Sequence, residues 1–313
     1  MTLVRIGMRN LWRGKLRLAL VAAPPRAPGP VTFNLAGPNF LSRFRSSGAC
    51  AMRTRQLGMI EWLLALLLVP PLTFGLSFLV PAEPWDDTPR EMDHGLVFNP
   101  HYELHPSHYS AGEKLAMLEK VSLVAMTTSP QHIGSMPGFW SFRNMNSVGS
   151  LAPDFDLPTT DGGRMRLADG SGRVSAFMFV AMTCPPARMQ VDRWEELLER
   201  YDPARVRVFF IYSRERHPGE PGYRNFTHTR TDEEKLAYAR LLSAGTHVPV
   251  AVDDIAETML GAYGKVPNAA FVIDGERRIV FKSTWADAGK VERVVDRLLA
   301  HRAARGAENI RPD

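Results

Sequence analysis

The residues of this chain best suited to chemistry lie in one short run, Val180-Ala181-Met182-Thr183-Cys184-Pro185-Pro186-Ala187-Arg188. The run joins an apolar stretch to an amphipathic one, and Cys184 is the only cysteine after Cys50. A cysteine in the first turn of a helix faces unpaired backbone N–H groups and the positive end of the helix dipole, which favour its thiolate. Pro185 and Pro186 suit the first helical positions, whose N–H groups lack partners in any case. The plainer alternative is a small buried hydrophobe at a strand end; the strand-to-helix corner favours the reactive reading. His217, in Arg214-Glu215-Arg216-His217-Pro218, follows the next apolar stretch. Ligand sites in an α/β sheet gather at the carboxyl ends of the strands, so Cys184 and His217 are expected on one rim. A histidine there can stabilise a thiolate or protonate a leaving group, or it can be a solvated loop residue.

The elements that must position these groups are legible from residue 149 to 302. The segment opens with Leu151-Ala152-Pro153-Asp154-Phe155 and a strand pair turning at Asp161-Gly162-Gly163. Val174–Met182 is a continuous apolar run, as a central buried strand requires. A helix is expected from Ala187 to Tyr201, then a second buried strand at Val206–Tyr212, which makes a right-handed βαβ unit. An acidic run opens a helix at Thr231–Leu242. Val248–Val252 is a short strand, Ile255–Tyr263 a helix, and Ala269–Ile273 with Arg278–Lys282 a hairpin around Asp274-Gly275. Lys290–His301 closes the segment as a helix, and residues 303–313 are a tail. This order is the thioredoxin type of α/β fold, with Val248–Val252 as an added strand. Val266-Pro267 occupies the place where that fold puts a cis-proline beside its cysteine, an arrangement that presents the backbone of Val266 to substrate.

Ahead of this domain, residues 1–58 form a basic extension, with a membrane-surface type of amphipathic helix over 1–20 and little expected order after it. Residues 59–81 are apolar over a length that matches a bilayer core, with Glu61 the one charge and Pro70-Pro71 expected to kink the helix. Arg43, Arg45, Arg53 and Arg55 precede this segment, and Glu83, Asp86, Asp87, Glu91 and Asp93 follow it. The positive-inside rule therefore anchors the chain by a single transmembrane helix with the domain on the extracytoplasmic side. Translation from Met52 would instead give a signal peptide cut after Val80-Pro81-Ala82, and it exports the same domain. Residues 82–148 read as a connector that packs partly on the domain, with one helix near Ser110–Ala125. Its histidines, His94, His101, His105, His108 and His132, match no metal-ligand template and are expected to be solvated. The net charge of +5 comes largely from terminal arginines, and no basic stripe with interleaved aromatics suggests nucleic acid. Cys50 and Cys184 flank the apolar segment, which argues against a structural disulfide.

Two cysteine chemistries can be tested by position. A dithiol site needs a cysteine three residues after Cys184, where Ala187 stands; a peroxiredoxin needs a threonine three residues before it, where Ala181 stands. The pattern does match another group. Residues 148–300 resemble the iodothyronine deiodinases, on Leu151-Ala152-Pro153, Thr183-Cys184-Pro185-Pro186, Ile211-Tyr212, Glu215, His217-Pro218, Val248-Pro249-Val250, Asp253, Pro267 and Trp285, with Asn99-Pro100-His101 similar to the family's connector. The resemblance implies a thyroxine-deiodinase type of activity, with cysteine in place of selenocysteine. The Cys184 thiolate would attack a ring-bound halogen, with Thr183 and His217 as further catalytic candidates. Pro185, Pro186, Glu215, Val266, Pro267 and Trp285 would meet the substrate. Met182 and Val248 stand where the family has further cysteines, so an external thiol reductant or a redox partner protein must restore Cys184. No cofactor or metal is expected. The expected partners are a small electrophile, that reductant and a membrane; a homodimer is admitted. The alternatives are a one-cysteine peroxidase and a non-catalytic binding module.

Overall fold

Val174–Val180 and Val206–Tyr212 are apolar on both faces because both faces are covered. In the computed structural model they are the neighbouring central strands of a five-stranded sheet, paired in parallel with Val180 opposite Tyr212. The structure describes residues 58, 61–65, 68, 69, 72, 76, 84–103, 106, 108–123, 125 and 136–308. The chain divides into units 1–58 and 59–313, and the five-stranded sheet lies in the second. The expectations for 1–58 and the cleavage site at 80–82 fall outside the described residues save Gly58, as do His105 and His132. Most of the 59–81 segment does too; among the described residues no helix is long and apolar enough to cross a membrane.

The strands in chain order are β1 (Arg90–Met92), β2 (Gly95–Val97), β3 (Asp156–Pro158), β4 (Arg164–Arg166), β5 (Val174–Val180), β6 (Val206–Tyr212), β7 (Val250–Val252), β8 (Ala270–Ile273) and β9 (Ile279–Ser283). The helices are α1 (Ala111–Lys120), α2 (Met136–Asn144), α3 (Pro185–Arg188), α4 (Val191–Arg200), α5 (Asp232–Ser243), α6 (Thr258–Ala262) and α7 (Ala288–Glu308). The sheet runs β7-β6-β5-β8-β9; β7 is parallel to β6, and β8 and β9 are antiparallel to their neighbours. This is a thioredoxin-like arrangement, and the strand expected as an addition, β7, forms one edge.

Side-chain alternation along β5 divides the core in two. Ala176, Met178 and Val180 face a layer made by Trp194 of α4, Leu242 of α5 and Val291, Val294 and Val295 of α7. Phe177 and Phe179 face the other, with Met259 and Leu260 of α6 and Phe142 of α2. Phe177 stacks between Phe209 at 5.2 Å and Phe271 at 5.4 Å, since the register sets all three side by side. Burial of such rings is worth about 2 to 3 kcal/mol each, so the strands that end at the candidate site are firmly placed.

The helix expected over Ala187–Tyr201 is two helices, broken at Met189 and Gln190. The connector is more structured than its sequence implied. It adds the β1–β2 hairpin, the capping box of Ser110 and Glu113 that starts α1, and helix α2. It also runs along β9, where Phe98 N–H donates to Val280 O and His101 N–H to Lys282 O.

Candidate functional site

Cys184 lies at the carboxyl end of β5, as expected, and is the N-cap of α3. The electrostatics expected of that position do not hold. Both residues after the N-cap are prolines, so two of the backbone donors a helix start usually offers are missing, and the backbone N–H of Ala187 is left to stabilise the sulfur. The cysteine is 3% exposed, and burial pushes its thiol up to about 11, against smaller lowering contributions from the Ala187 N–H and Arg216. The resting site holds a thiol, because desolvation outweighs one hydrogen bond and one nearby cation.

Thr183 locks this turn to the loop after β6. Its backbone N–H donates to Glu215 Oε2 at 2.7 Å, and its hydroxyl oxygen accepts the backbone N–H groups of Arg216 at 2.9 Å and His217 at 3.1 Å. Glu215 is buried and takes a second hydrogen bond from the Tyr212 hydroxyl, which accepts the N–H of Met182. His217 is buried too, so the solvated reading fails; Nδ1 lies 3.1 Å from Glu220 Oε1, and Glu220 Oε2 accepts the N–H of Ser122 in the connector at 2.6 Å. The structure thus brings Thr183, Cys184, Pro185, Pro186, Glu215 and His217 onto one rim. Arg216, which pairs with Glu257, supplies the positive charge nearest in effect to the thiol.

Val266 is buried in the opposite core layer, and its carbonyl accepts the N–H of Ala269. The Val266-Pro267 bond is trans, as are all peptide bonds among the described residues. The Trp285 indole donates to the carbonyl of Glu103 at 3.0 Å, which ties it to the connector.

Sequence reasoning missed Tyr109, Gln190 and Tyr223, and it named Tyr212 without a role in the site. Burial pushes the phenols of Tyr109 and Tyr223 far up, and the charge of a Cys184 thiolate adds to both shifts. Gln190 carried a signal, since it stands three residues after Ala187 and four before Trp194, on an apolar helical stripe where a polar side chain requires partners. The expectation of solvated connector histidines is also corrected. His101 and His108 have side chains 12% and 13% exposed and approach Glu103 and Asp287, while His94 is exposed. Among the described residues no three histidine, cysteine or carboxylate side chains converge as a metal site would require.

The sheet order, the βαβ unit that carries Cys184 and the closing hairpin and helix define a thioredoxin-like domain with a single thiol at the strand-to-helix corner after β5. Residues 148–282 of the chain match the AhpC/TSA family. Among solved structures, the chain is similar to the exposed lipoprotein thioredoxin of Streptococcus pneumoniae, with 22% identity over 47% of this chain and 100% of that one and a TM-score of 0.36. It is similar to the thioredoxin domain of a thiol-disulfide oxidoreductase from Bacteroides vulgatus, with 16% identity over 48% and 98% of the two chains and a TM-score of 0.37. A conserved protein of Geobacillus kaustophilus shares 20% identity over 50% and 84%, with a TM-score of 0.40. The comparison with curated proteins returns no match. The family match agrees with the thioredoxin-like, redoxin class that the sheet order defines, and none of these similarities singles out the deiodinases.

Proposed function

We propose that the protein is a single-thiol oxidoreductase that removes a halogen from an aromatic substrate through Cys184. The carrying observation is Thr183. Its hydroxyl oxygen accepts two backbone N–H groups and ties the turn beside a buried thiol to the loop after β6, while Ala181 stands where a peroxidase would set its threonine. Ala187 leaves no second thiol for a dithiol cycle, and the order of motifs resembles the deiodinases. In the proposed reaction the sulfur takes the halogen X, the electrons of the carbon–halogen bond stay on carbon, and the thiol proton passes to that carbon with His217 as its carrier. The products are the dehalogenated ring and Cys184–S–X. One external thiol displaces halide to give a mixed disulfide, and a second releases Cys184–SH with the oxidised reductant.

The test supplies an iodinated phenol and hydrogen peroxide in separate reactions with a small thiol. Iodide release that disappears in Cys184→Ser supports the reading. Faster conversion of Cys184 to its sulfenic acid by peroxide, with no iodide released, would replace it with the peroxidase. The same reading places the domain outside the cytoplasm on a membrane anchor, and alkaline-phosphatase activity of a fusion after residue 148 checks that topology.

A further inference from the structure

Behind the Cys184 turn, one backbone group fixes the direction of a buried hydrogen-bond chain. Ala288 N–H donates to Gln190 Oε1 at 3.0 Å. A backbone N–H can only donate, so the amide oxygen of Gln190 is on that side and its NH2 faces the other way. That NH2 lies 3.1 Å from the Tyr109 hydroxyl and 3.1 Å from His108 Nε2, and both must accept. Tyr109 therefore gives its own proton to the carbonyl of Pro186, at 2.6 Å. His108 must leave Nε2 bare and carry its proton on Nδ1, which lies 3.3 Å from Asp287 Oδ2, an electrostatic approach without hydrogen-bond alignment. The chain ends two residues from Cys184. Gln190 is fully buried and Tyr109 nearly so.

Charges surround the histidine end. Lys290 Nζ lies 2.9 Å from Asp287 Oδ2 and 3.4 Å from Glu103 Oε1, and Arg193 lies over the Tyr109 ring. Burial pushes His108 down, Asp287 and Glu103 oppose this, and Lys290 and Arg193 add to it, which keeps the ring neutral near pH 7. A second proton on His108 would set an N–H against the NH2 of Gln190, donor against donor, and open the chain.

We infer that His108 is a positioning residue for Cys184: neutral and protonated at Nδ1, it orients Gln190 and Tyr109, and through them the Pro186 carbonyl in the turn that carries the thiol. The inference rests on Cys184 being the reacting atom, as in the proposed dehalogenation. Nitrogen-15 NMR of the full chain with labelled histidine, with His108 assigned by difference against His108→Asn, reads the tautomer directly. The expected spectrum at pH 7.5 is the Nδ1–H form. The Tyr109→Phe substitution keeps the ring and removes the link to Pro186; it is expected to change the Cys184 alkylation rate about fivefold and to displace its pH profile. An Nε2–H tautomer in the unaltered protein, or a Tyr109→Phe profile that overlays the original, would overturn the inference. Failure of the dehalogenase reading shows separately, as absent iodide release with the Nδ1–H signal intact.

Discussion

At the scale of the residue, Cys184 behaves as a stored thiol. Its folded value of about 11 stands above the reference of 9.0, so iodoacetamide alkylation at fixed reagent is expected to rise about tenfold per pH unit from 7 to 10 without a plateau. A plateau below pH 9 would show that the thiolate is stabilised after all. The same difference acts on stability. The folded state holds the proton more tightly, so the contribution is complete below about pH 9 and is lost as pH rises through about 11. Urea titrations between pH 8 and 11 should show a loss of order 2 kcal/mol that is absent in Cys184→Ser. Position made Cys184 legible in the sequence, and so did His217. The direction of the cysteine's titration was not legible, because it depends on burial and on donors that Pro185 and Pro186 remove.

At the scale of the element, the strands were read almost to the residue where they are buried on both faces, as β6 shows. Three-residue strands such as β1 and β2 are too short to display alternation, and α2 hid behind its Pro137-Gly138 pair. The structure explains that glycine: a Cβ on Gly138 would come within 2.8 Å of the Lys265 carbonyl, and one on Gly264 within 2.6 Å of Phe142 Cα. Gly264 also has φ of 102°. Gly264→Ala should therefore cost about 2 kcal/mol or more by chemical denaturation, and a neutral result would mean α2 can shift without loss. Lys282 secures the other end of α2, donating to the carbonyls of Phe142 and Met145 at 2.5 and 2.6 Å. Lys282→Met leaves the buried Phe142 carbonyl without that partner and frees the part-buried one of Met145, for a loss of about 2 kcal/mol read from the denaturation midpoint.

At the scale of the whole second unit, the connector belongs to the domain. Phe98, Tyr109 and Phe142 are buried in it or against it, and sequence reading understated this because the contacts join residues far apart in the chain. A chain beginning at residue 149 should lose about 5 kcal/mol of burial and alkylate at Cys184 faster than the full protein; equal melting temperatures and rates would show that the connector is a passive tether. The segment around Phe98 to His101 that runs along β9 has a counterpart across the sheet, where Thr160 N–H donates to the Val250 carbonyl and Thr159 bridges Ala251. Both margins of the sheet are thereby covered over part of their length. Where they are covered, a reductant protein or a second copy of the chain cannot join by strand addition, so recognition of any macromolecular partner there falls to side chains and loop surfaces.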